Sequence, residues 1–164
     1  MSFSLTANPY SNYMAPAFVG MKEDSMDDNV DTFACGVSNV SIGVAVKRSA
    51  AGALTVINGA DVALGVGVAL HDHIIGYNAG GVYLPTQAVS VLTRGRAWVA
   101  LSVGTGVVDG AKCFADPVTG KFSTTGTEIA VTNAVFRSVP INLLNVDWTT
   151  TTLAACVELH NPNV

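Results

Sequence analysis

The residues in this 164-residue chain most suited to chemistry are His71, Asp72 and His73. On a strand, positions i and i+2 share a face, so both imidazoles could reach one metal ion. Spacing identifies no third ligand, and Asp61 or His160 could be enlisted only by guesswork. The expectation is therefore a hydrogen-bonded or exposed pair, with no metal site and no cofactor; a metallo-hydrolase centred on His71 and His73 is a third-ranked reading. Gly65-Val66-Gly67 and Gly104-Thr105-Gly106 look like pieces of phosphate-binding loops. Neither has the third glycine, the following Lys-Ser/Thr or the helix that would present its N-terminus to a phosphate, so bulges or tight turns are expected. No Gly-x-Ser-x-Gly elbow occurs, and the paired carboxylates Asp27 and Asp28 sit in an acidic run where solvation is the simpler fate. No catalytic residues are assigned.

Aromatic residues offer a different chemistry. Trp98 with Tyr77 and Tyr83 could line the pocket of a β-barrel that binds a small molecule or carbohydrate, the alternative function for this chain. For Trp98 and Trp148 the competing expectation is core or interface packing. Arg94 and Arg96 flank Gly95 and could pair with acids of a neighbouring subunit or sit in a solvated turn. Arg94, Arg96 and Trp98 are the candidate oligomer interface.

Composition bears on partners. Charged residues make up 12% of the chain and hydrophobic ones 49%, against about 25% charged in ordinary soluble domains. So few charges would leave a monomer with much apolar surface, which predicts a homo-oligomer or docking on a larger assembly. The most apolar run, Val62 to Leu70, is far shorter than the ~20 residues of a spanning helix, so no membrane partner is expected. Met1 to Tyr13 has neither the basic start nor the apolar core of a signal peptide, which predicts synthesis in the cytoplasm. Cys35, Cys113 and Cys156 are odd in number and widely spaced, suggesting buried thiols. Asn39-Val40-Ser41 is read as a chance sequon.

The net charge of −4 is local. Residues 22–31 hold Glu23, Asp24, Asp27, Asp28 and Asp31 against Lys22, a sum of −4, and the other seven acids balance the other seven bases. With no cluster of Lys or Arg, nucleic acid is not expected as a partner. A basic protein surface is permitted.

These residues have to be positioned by strands. Gln87 to Phe122 is the centre of the chain: Val89, Val91 and Thr93 alternate with their neighbours, and Ala97, Val99, Leu101 and Val103 do so beyond Arg94-Gly95-Arg96. Lys112–Ala115 and Lys121–Ser123, separated by Asp116-Pro117-Val118-Thr119-Gly120, read as a hairpin. Further strands are expected over 41–47, 54–57 (with Asn58-Gly59 as a turn), 62–70, 127–138 and 153–159, with a loop that holds a strand fragment over 71–86 and a loop over 139–147. No helix is indicated. The fold class is all-β, a compact antiparallel β-barrel or sandwich over 33–164, with residues 1–32 as an extended N-terminal arm. That arm carries Phe3, Tyr10, Tyr13, Met14 and Phe18 along a proline-stiffened segment and ends in the acidic run, a composition suited to lying across a neighbour.

The ordered set Gly20, Asp24, Val30 and Phe33, then Ile42-Gly43-Val44-Ala45-Val46-Lys47-Arg48, Gly65 to His73, Tyr83, Ala88 to Val99, Gly110-Ala111-Lys112, Thr119-Gly120-Lys121-Phe122, Ala134-Val135-Phe136 and Leu153 to Leu159 resembles the structural cement, or capsid decoration, proteins of tailed bacteriophages. Ile42 and Gly43 are adjacent here, where the family more often has a spacer. The resemblance spans about Gly20 to Leu159. It implies a non-enzymatic virion protein on the outer surface of the icosahedral head, a trimer or alternatively a dimer, clamping adjacent subunits of the major capsid protein. Phe3, Tyr10, Tyr13, Met14, Phe18, Glu23, Asp24, Asp27, Asp28 and Asp31 would then be the capsid-binding residues.

Overall fold

The computed structural model describes residues 17–23, 28–48, 54–56, 67–72, 81–144 and 150–160. Among them there is no helix, and twelve strands run in chain order: β1 (Asn29–Ala34), β2 (Val40–Ser41), β3 (Ala45–Arg48), β4 (Leu54–Val56), β5 (Gly67–Ala69), β6 (Val82–Tyr83), β7 (Ala88–Ala100), β8 (Lys112–Ala115), β9 (Phe122–Ser123), β10 (Ile129–Phe136), β11 (Ile141–Leu144) and β12 (Thr151–Leu159). The Asn58-Gly59 turn and Gly65-Val66 lie outside the described residues.

The all-β expectation holds, in the form of one large sheet rather than a closed barrel. Ten strands join in the order β4-β3-β5-β7-β12-β10-β8-β9, with β1 added to β7 and β11 to β12, while β2 and β6 form a separate pair. Every pairing between these strands is antiparallel. β7 is the shared element: Ala88–Arg94 pairs with β1, Val91 and Leu92 pair also with β5, and Gly95–Ala100 pairs with β12.

The alternation read along β7 is real, but it changes hands midway. Val89 and Val91 enter one core cluster with Val44, Val46, Tyr83 and Leu143, while Leu92 enters the other. Beyond Gly95 the parity is reversed: Trp98 and Ala100 join the first cluster, and Ala97 and Val99 join the second with Phe122, Phe136 and Leu159. One extra residue accounts for the reversal. Asn29 and Val30 are consecutive in β1 yet face Arg94 and Leu92, so Thr93 is surplus. A bulge turns every later side chain to the opposite face. Gly95, at φ +116, takes up a backbone conformation that L-residues avoid. Thus the Arg94-Gly95-Arg96 interruption does not separate two strands; it is a bulge within one of 13 residues.

Both faces of β7 are consequently buried. On one side the sheet curls until Leu101, just past β7, forms a parallel bridge with Phe122 of β9, and Ser102 N donates to Phe122 O at 2.9 Å. The hairpin of β8 and β9 forms as the sequence predicts. Asp116 Oδ1 accepts hydrogen bonds from Val118 N at 2.9 Å, Thr119 N at 2.6 Å and Thr119 Oγ1 at 3.0 Å, closing the turn. Gly104-Thr105-Gly106 is a tight turn, with Gly106 at φ +77.

Two elements depart from the sequence reading. β11 occupies part of the predicted 139–147 loop, pairing Ile141–Leu144 with Thr151–Ala154. β1 straddles the predicted arm boundary at residue 32. Upstream of it, Lys22 bridges Ala97, Gly20 N donates to Trp98 O at 2.8 Å, and Ala17 and Val19 are buried. Residues 17–23 and 28–34 therefore run along β7 of their own chain.

Candidate interaction surface

Because residues 17–23 and 28–34 lie beside β7, Glu23 of the acidic run meets Arg96 just beyond the bulge. Lys22 Nζ pairs with Asp28. The Asp28 carboxyl is held below its usual range chiefly by that hydrogen bond. One pair along, Arg96 faces Glu158 across the β7–β12 ladder. Arg96 Nε donates to Glu158 Oε2 at 3.1 Å, and Arg137 Nε donates to the same oxygen at 2.7 Å. Arg96 Nη1 lies 3.7 Å from Glu23 Oε2, and Arg137 Nη1 lies 3.4 Å from Asp109 Oδ1. The Cys156 thiol donates to Glu23 Oε2 at 3.0 Å. Partial burial pushes the Glu158 carboxyl up, but the bonds from Arg137 and Arg96 outweigh it and leave the group below its usual range. Glu158 in turn raises Arg137.

In this ladder of alternating charge each described member is neutralised by another within the chain, which ties β7, β12 and the end of β10 together. Among the described residues no three His, Cys, Asp or Glu side chains are grouped to hold a metal. His71 packs edge-on against Phe18, ring centroids 5.0 Å apart, and its backbone N–H donates to Gly20 O. Ser90 Oγ donates to Asp72 at 3.2 Å.

The sequence-predicted site residues separate into distinct places. Phe18, Glu23, Asp28 and Asp31 lie on or beside the β7 edge; Phe3, Tyr10, Tyr13, Met14, Asp24 and Asp27 are outside the described residues, as are His73, Asp61, Tyr77 and Trp148. Arg96, considered for a neighbouring subunit, pairs with Glu158 and Glu23 of its own chain. Arg94 is half-buried opposite Asn29. Trp98 is 9% exposed and Tyr83 1%, and the Tyr83 hydroxyl donates to Leu70 O at 2.7 Å. Both rings fill the core, so neither offers a face on which a sugar could stack. Glu158, Arg137 and Asp109 escaped the sequence reading. Arg96 and Glu158 are 62 residues apart, and no local pattern links them.

Residues 5–156 match the family model described as Structural cement protein (E217 gp24/Pam3 gp6). The chain belongs to the phage structural cement protein family. Membership supports a structural role in the virion, with capsid proteins as the associated class of partner, and is consistent with a protein that is not an enzyme. A solved structure titled "The capsid of Myoviridae Phage XM1" contains a similar chain, 18% identical, with 99% of each chain covered and a TM-score of 0.69. At that identity the likeness is one of fold. No curated protein matches the sequence.

Proposed function

We propose that this cement protein binds the outside of the icosahedral head and clamps adjacent major capsid protein subunits. The match to the cement family over residues 5–156 carries the reading. Physically, a ligand that binds only the assembled shell lowers its free energy relative to the broken shell, and many modest contacts summed over the lattice resist internal pressure. The residues that make contact are assigned to the N-terminal segment and the acidic run, where the net charge is concentrated. A basic patch on the capsid would complement it. The low charge content and exposed valines such as Val37, 93% exposed, and Val118, 82% exposed, support association with other subunits, as a homo-oligomer, in the virion.

Undecorated heads and purified cement protein provide the test. Binding to intact heads, followed by a rise in the temperature at which heads release DNA, is the expected result. Heads that bind none of the protein, or bind it without gaining resistance, would overturn the reading.

A further inference from the structure

β1 is an edge strand whose outer backbone groups have no partner among the described residues, and its ladder with β7 reveals which groups these are. Cys35 N donates to Gln87 O at 2.8 Å. That pair extends the β1 register, in which Phe33 faces Val89 and Asp31 faces Val91. Hydrogen-bonded and non-bonded pairs alternate along an antiparallel ladder. Phe33 and Asp31 therefore turn their N–H and C=O groups toward β7, while Val30, Thr32 and Ala34 turn theirs away. The opposite side of β7 agrees: Ser90, which faces Thr32, gives its carbonyl to Leu70 N at 2.8 Å on the β5 side.

We propose that the outer edge of β1 accepts an extended, basic segment of the capsid protein as an added antiparallel or parallel strand, with Asp31 opposite one of its cations. This deepens the head-binding reading and rests on it. The side chains of Val30, Thr32 and Ala34 are exposed, so no described residue covers that face of the strand. An open edge of six residues is a template for strand addition, main-chain bonds supplying affinity and side chains supplying choice. Charge supplies the choice here. Asp28 is neutralised by Lys22, whereas Asp31 accepts bonds only from the neutral donors Asn29, at 3.2 Å, and Thr93, at 3.5 Å, among the described residues. A second copy of this chain is a poor occupant, because β1 holds no cation, and pairing β1 with β1 would leave the Asp31 carboxylates of both copies without an opposite charge.

Residue-resolved hydrogen exchange of the full chain, free and on undecorated heads, combined with head-binding assays of two variants, tests the proposal. Thr32→Pro removes an outward N–H and leaves the bonds to β7 intact, as proline on an edge strand can; Asp31→Lys reverses the charge without touching the backbone. The wild-type amides of Val30, Thr32 and Ala34 should become protected on heads, and each variant, folded by circular dichroism, should bind about tenfold more weakly. If the wild type binds heads while these amides exchange as in the free chain and both variants bind normally, the edge proposal falls and head binding stands. If the same amides become protected in the free chain as its concentration rises, a second copy is the occupant and the proposal is overturned. If the wild type does not bind heads at all, the head-binding reading falls, and this proposal with it.

Discussion

Arg96 and Glu158 stand directly opposite each other across β7 and β12, and the Glu158 oxygen that receives Arg96 Nε also receives Arg137 Nε. One carboxylate thus holds together two strands and the end of β10. Glu158→Gln would leave two guanidinium groups converging on a neutral amide. Since these side chains are partly solvated, the expected loss is about 1 kcal/mol at neutral pH. The Glu158 pKa is lowered in the folded chain, so its stabilisation is present above the ordinary glutamate pKa and is lost as pH falls through the lowered folded value. Denaturant midpoints of wild type and variant should differ at pH 7 and converge in acid; a gap that persists at low pH would mean that Glu158 acts by packing.

Glycines 43 and 110 separate two costs that are often confused. Gly43, at φ +68, packs so tightly that a Cβ would run into Val19 Cγ1 and lie 3.2 Å from Gly20 N and 3.3 Å from Ala100 N. Gly110, at φ +79, has nothing within 4 Å of that position. Gly110→Ala should cost only the left-handed backbone penalty, about 1 kcal/mol. Gly43→Ala should add steric overlap and cost about 3 kcal/mol in all. Equal melting temperatures for the two variants would show that the Val19 contact yields freely.

The three cysteines form no disulfide and are buried. Burial pushes the Cys113 thiol up to about 12 and raises Cys35 as well. Because the thiolate is the reactive form, a thiol reagent at pH 8 should label none of the three in the native chain and all three in denaturant. Rapid labelling of Cys113 without denaturant would reveal local opening of β8.

Much of this fold was legible because its strands carry their own signals. The β8–β9 hairpin was readable from Asp116-Pro117-Val118-Thr119-Gly120, a turn whose chemistry is local: Asp116 caps it and Gly120, at φ +69, reverses the chain. β12 was readable because Ala154 to Val157 forms an unbroken apolar run, now seen to be buried on both faces. β11 was hidden by Pro140 and Asn142, which break up its apolar residues, although its partner β12 is the next strand in the chain. β1 was hidden by its acids: Asn29-Val30-Asp31-Thr32 has the composition of a solvated tail, and only the edge of β7 gives it a place. The ionic ladder was illegible for the same reason, since each of its links from Glu23 to Asp109 joins residues far apart in sequence.

That hidden strand decides how the N-terminal segment must be tested. Deleting residues 1–31 would remove Ala17 and Val19, 4% and 3% exposed, from the core, together with half of β1 and the Lys22 and Glu23 pairings. Burial of the one valine alone is worth about 1.5–3 kcal/mol, so this truncation should unfold far more easily than the full chain. Deleting residues 1–16 instead leaves every described residue in place, and it is the variant that probes head binding by Phe3, Tyr10, Tyr13 and Met14. The expected outcome is a wild-type β-sheet circular dichroism spectrum with weakened decoration of heads. Should the 1–31 deletion melt at the wild-type temperature, the docking of residues 17–23 and 28–34 on β7 contributes nothing to stability, and the domain begins at residue 33 after all.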